Sequence, residues 1–98
     1  MPNQVWVQEW EESERGWGVR SDGYQVWSTK DRAVTGAAKY LKEMRDKEFE
    51  YSNGDIPEVY SRSVGNPIAV EVSFSKLVHV TNNEGMWIRS PKELEEKK

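Results

Sequence analysis

The stretch Trp10–Trp27, WEESERGWGVRSDGYQVW, decides how this chain is read. It holds three of the five Trp and three of the seven Gly, acids at Glu11, Glu12 and Glu14, and the dipeptide Asp22-Gly23. Asp-Gly is a preferred pair for a two-residue hairpin loop, because both central residues of a type I′ turn need φ > 0. A hairpin there joins Trp17–Ser21 to Tyr24–Ser28 and sets Ser21 opposite Tyr24, Arg20 opposite Gln25, Val19 opposite Val26 and Gly18 opposite Trp27. One face then carries Trp17, Val19, Tyr24 and Val26 and reads as core, while the other carries Gly16, Gly18, Arg20, Gln25 and Trp27. The glycines leave a floor without side chains beside a large indole. Either Trp27 or a helix covers that floor, or Trp27, Arg20 and Gln25 form a shallow platform open to a ligand.

Upstream, Gln4–Trp10 alternates with apolar groups on both sides: Val5 and Val7 on one, Trp6 and Trp10 on the other. Such a strand is central or covered on both faces. The acids Glu9, Glu11, Glu12 and Glu14 read as a solvated bend joining it to the hairpin. Downstream, Ser28-Thr29-Lys30-Asp31 starts a helix, with Ser28 and Asp31 as a capping box or Thr29 as the cap. Val34, Ala37, Ala38, Leu41 and Met44 recur at helical spacing and carry it to Asp46 or Lys47. Gly36 disfavours the helix by about 1 kcal/mol against Ala. With Ala33, Ala37 and Ala38 it thins one side, which suits close packing on a sheet.

Phe49–Pro67 is punctuated by Asn53-Gly54, Ile56-Pro57, Gly65 and Asn66-Pro67, and reads as a long irregular connection. It either packs through Tyr51, Ile56, Val59 and Tyr60 or binds a ligand, with Arg62 the charge freest to reach one. Ile68–Ser73, Leu77–Thr81 and Met86–Arg89 read as strands, Asn82–Gly85 as a turn, and Ser90-Pro91 as the start of a short charged C-terminal helix. The expectation is one α+β domain over residues 1–98, with a mostly antiparallel sheet of five to six strands. One main helix packs on one sheet face. The other face is solvated, covered by the long connection, or used in a homodimer.

The chain has 98 residues, 36% of them hydrophobic and 32% charged, which suits a soluble domain with one modest core. A net charge of −3 disfavours direct binding to nucleic acid. The absence of Cys excludes disulfides and thiolate metal sites, and no apolar run is long enough to span a membrane, so the cytoplasm is the expected compartment. One His without Cys does not make a typical zinc site. No Gly-rich phosphate loop is present, no serine sits in a nucleophile context, and spacing singles out no pair among the thirteen Glu. His79 reads as a strand residue with a hydrogen-bond partner rather than a general base. These exclusions point to a binder that uses no metal or cofactor, rather than an enzyme.

Gly16-Trp17-Gly18, Arg20 and Asp22-Gly23-Tyr24, followed by a helix and then Pro57-Glu58-Val59-Tyr60-Ser61-Arg62, resemble small accessory proteins of bacteriophages and prophages. Those read roughly GWG, Arg, DGY, helix, P-(D/E)-x-Y-S-R. This chain departs from them in having Ser21 where a Pro precedes the DGY. The resemblance implies action in a host cytoplasm, often against host defence, by sequestering a signal nucleotide or by plugging a host protein. For a small anionic ligand the residues suited by type are Trp17, Tyr24, Trp27 and Trp87 for stacking, with Arg20, Arg62 and Arg89 for phosphate. The alternative is a protein-interaction inhibitor that meets a basic host protein through the acidic run and exposed indoles.

Overall fold

The whole of Gln4–Glu14 is a single strand, β1, and it organises the computed structural model. The structure describes residues 3–14, 18–51 and 59–94, of which residues 13, 14, 48–51 and 59–61 are described by backbone alone. After β1 come β2 (Gly18–Trp27), α1 (Lys30–Tyr51), β3 (Val59–Glu71), α2 (Phe74–Thr81), β4 (Met86–Ile88) and a 3-10 helix, Pro91–Leu94. The strands form one antiparallel sheet in the order β3-β1-β2-β4. The α+β class and the main helix agree with the sequence reading. Among the described residues the sheet has four strands, against the five to six expected.

The largest correction falls on Asp22-Gly23. It is no hairpin loop: β2 runs straight through it, paired along its length with β1. Trp10 lies opposite Gly23 and Glu11 opposite Ser21, so Asp22 is the extra residue of a β-bulge. Gly23 has φ +105, and a Cβ there would stand 3.1 Å from the Ile88 carbonyl oxygen, which accounts for the glycine. Residues 15–17, between β1 and β2, lie outside the described residues, Gly16 and Trp17 among them.

A second irregularity lies on the other side of β1, at Gln8, two residues before the first. Val7 pairs with Ile68 and Glu9 with Val64, leaving Gly65, Asn66 and Pro67 opposite Gln8 alone. The buried Gln8 side chain fills the gap: its Nε2 donates to the carbonyls of Val64 at 3.1 Å and Gly65 at 3.2 Å. Pro67 is tolerated because β3 is an edge strand and bulged there. The punctuation in Phe49–Pro67 is therefore partly strand: α1 runs on to Tyr51, β3 begins at Val59, and only 52–58 lie outside the described residues.

Both sheet faces are covered near Trp10 and upstream of it. On one face Trp10, Trp27, Ala33 and Ala37 are buried, with Trp6, Tyr40 and Leu41 against them. Gly36 lets Trp27 approach, since a Cβ there would stand 2.5 Å from the indole Nε1. The stripe of α1 facing the sheet is thus Ala33 and Ala37, buried, with Tyr40 and Leu41 half-buried, while Val34 and Ala38 are exposed. Thr29 caps the helix, its Oγ1 accepting from Arg32 N–H at 3.1 Å. Ser28 N–H instead donates to Glu84.

On the opposite face Val5, Val7 and Val26 pack with Val80, Ile88 and Leu94. That face is covered in part by α2 and the 3-10 helix, two elements the sequence reading did not place there. Leu77–Thr81 is helix, not strand. Ser73 caps it by accepting from Lys76 N–H, and Leu77 and Val80 turn inward one helical step apart. His79 lies exposed on that helix. The C-terminal helix begins as expected at Pro91 but is a 3-10 helix, with Leu94 buried as its anchor.

Candidate functional site

The acidic run is the middle strand of a ribbon rather than a solvated bend. Glu11 lies directly opposite Arg62 of β3, and Glu12 directly opposite Arg20 of β2. Both pairs form ion pairs, Arg20 Nη2 reaching Glu12 Oε2 at 3.0 Å and Arg62 Nε reaching Glu11 Oε1. Successive residues of a strand point to opposite faces, so Glu12 and Arg20 lie on the α1 side with Trp10, and Glu11 and Arg62 on the other. Arg20 and Arg62 therefore do not converge on one ligand.

The remaining residues singled out by type are spread as follows. Trp27 is buried under Gly36, so its floor is covered. Tyr24 is half-buried beside the Val5–Val26 cluster. Trp17 lies outside the described residues. Of the candidates among the described residues only Trp87 and Arg89 come together, in a cavity of about 580 Å³ walled also by Ser21, Asp22, Gly23, Ile88 and Glu93.

Each wall of this cavity follows from local structure. Trp87 sits in β4 opposite Gln25, and its ring lies 3.5 Å from where a Gly23 Cβ would be. It meets Tyr40 edge-on at 5.4 Å and Trp10 at 6.3 Å between centroids, so the ring is held while 41% of the residue stays exposed. Arg89 follows directly, exposed, and its guanidinium has no ion-pair partner among the described residues. Ser90 and Glu93 form a capping box at the 3-10 helix, with Glu93 Oε2 accepting from the backbone N–H groups of Arg89 and Ser90. One of the two carboxylates in the cavity is thereby committed.

The other is Asp22, carried outward by the bulge. Burial, and then the charge of Glu12, raise its carboxyl above the ordinary 3.8, while Arg20 opposes them. Ser21, Asp22 and Glu93 were missed as cavity residues because their positions depend on the bulge and the C-terminal cap. The S-x-x-E spacing of Ser90 and Glu93, not used in the sequence reading, is the local signal that could have found the cap.

Among the described residues no group of His, Asp and Glu is placed to hold a metal ion. None of their helices is long and apolar enough to cross a membrane. No protein-family model matches the chain, and comparisons with curated proteins and with solved structures give no match either.

Proposed function

We propose that this chain is a non-enzymatic binding module that takes a small, planar, anionic ligand of nucleotide type into the cavity walled by Trp87 and Arg89. One observation carries the reading: an indole 41% exposed and held from behind shares a cavity with an arginine that has no ion-pair partner among the described residues. Stacking on an aromatic ring contributes roughly 1–3 kcal/mol per base, and a guanidinium offers a bidentate fork to phosphate. The cavity, at about 580 Å³, is within the usual size range of small-molecule sites.

In the setting implied by the phage resemblance, such binding sequesters a nucleotide signal in the host cytoplasm. Blocking a basic host protein through the acidic run is the weaker reading, because Glu11 and Glu12 are already paired with Arg62 and Arg20. Calorimetry against mono-, di- and cyclic nucleotides tests the proposal. At least one is expected to bind, with Trp87→Ala and Arg89→Ala each weakening it tenfold or more, about 1.4 kcal/mol. Arg20→Ala, outside the cavity, is expected to change affinity less than threefold. No heat with any nucleotide overturns the proposal.

A further inference from the structure

We infer that the cavity selects a guanine-type base, whose donor edge pairs with the Asp22 carboxylate while the ring stacks on Trp87. The inference rests on the nucleotide reading above and adds the identity of the base. Asp22 is the unpaired residue of the bulge, with Gly23 opposite Trp10 and Ser21 opposite Glu11. Bulges beside binding sites commonly re-aim one side chain out of the ladder. This one lines the cavity and makes no hydrogen bond or ion pair with the described residues. The neighbouring carboxylate, Glu93, spends an oxygen on two backbone N–H groups. Asp22 is thus the carboxylate of the cavity with both oxygens left for a ligand.

An ionised carboxylate only accepts hydrogen bonds. The Watson–Crick edge of guanine presents two adjacent donors, N1–H and the N2 amino group, and these match its two oxygens. The same edge of adenine sets an acceptor, N1, beside its amino group, so a carboxylate meets one donor and one repelling lone pair. Rejecting a ligand that leaves a polar partner unmatched is the larger source of discrimination in such sites. Arg89, in the same cavity, supplies the charge for the nucleotide's phosphate. Asp22 itself is exposed, so a ligand can reach its carboxylate, and the little burial it has acts to raise its pKa.

The test is calorimetry with guanosine, inosine and adenosine 5′-monophosphates, on the wild-type chain and on Asp22→Asn. Guanosine monophosphate is expected to bind at least tenfold tighter than adenosine monophosphate, with inosine monophosphate, which lacks the N2 amino group, in between. Asp22→Asn removes a negative charge from the cavity. It should weaken guanosine monophosphate tenfold while leaving adenosine monophosphate equal or tighter, a crossover that misfolding cannot produce. A ten-nucleotide RNA with one central guanine is expected to bind no tighter than the free nucleotide, and tighter binding would overturn the assignment to a free ligand. Equal affinities that still depend on Trp87 overturn the base assignment and leave the binding reading standing. A preference that survives in Asp22→Asn overturns it also. No binding of any of the three overturns both.

Discussion

The two halves of β1 share their neighbours, β2 and β3, and little else. From Gln4 to Trp10 the strand is packed on both faces, with Val5, Val7 and Trp10 buried. From Glu11 to Glu14 the described cross-strand contacts are charge pairs. The change falls at the β2 bulge at Asp22, two residues after the irregularity of β3 at Gly65–Pro67 opposite Gln8. The difference teaches that pleating is indifferent to side-chain chemistry. The same backbone ladder carries a double-sided apolar core and then two glutamates, Glu11 and Glu12, each paired with an arginine of a flanking strand. The energies are not alike, since burying a large apolar side chain contributes several kcal/mol and an exposed ion pair about 0–1 kcal/mol.

Substitutions along β1 and its neighbours sharpen that contrast. Trp10→Ala, at a fully buried position, should destabilise by about 3–5 kcal/mol in chemical denaturation; a loss under 1 kcal/mol would show that the packed half is not packed. Gly23→Val at the junction should cost more than about 1 kcal/mol, because a β-branched residue resists φ +105 and its Cβ meets the Ile88 carbonyl. An unchanged denaturation midpoint would mean that the bulge is not formed. In the charged half, Arg20→Ala and Arg62→Ala should each shift stability by less than about 1 kcal/mol, as their ion pairs are exposed. A larger loss from either would place the ribbon among the elements that hold the fold.

The smallest effect is a pH dependence at Asp22. A carboxyl whose pKa is higher in the folded state than in the unfolded chain holds its proton more tightly when folded. Its stabilisation is therefore complete below the unfolded value, near 3.8, and is lost as pH rises through the raised folded value. Asp22→Asn, which does not titrate, should match wild type most closely in acid and gain on it as pH rises through that window. Parallel melting curves at all pH values would contradict the direction of the shift.

The sequence disclosed the faces of β2 more faithfully than its path. A two-residue turn and a one-residue bulge both reverse the alternation of side chains, so Val19, Tyr24 and Val26 fall on one face and Arg20, Gln25 and Trp27 on the other in either case. Asp-Gly satisfies both geometries, and what decides between them is pairing with β1, which is not local. The acidic strand was hidden for the same reason. Glu12 is matched by Arg20, eight residues on, but only if the two strands pair in this register, and Glu11 by Arg62, 51 residues away, a partner that no short window shows. Leu77–Thr81 misled through its valines, where the Ser73 cap and the Leu77–Val80 spacing outweighed β preference. For the cavity, Trp87 and Arg89 were legible by residue type, whereas Asp22 was taken for a turn residue and so lost as a ligand group.

Whether Trp87 is the stacking surface of a binding site is most directly read from the indole N–H signals in a ¹H–¹⁵N spectrum. The Trp87 signal can be assigned by its loss in Trp87→Phe. On titration with guanosine 5′-monophosphate that signal should shift progressively to saturation, while those of Trp6 and Trp27, which do not line the cavity, stay within about a tenth of its displacement. A Trp87 signal that stays still under saturating nucleotide, or that moves only together with every other indole, would contradict the account.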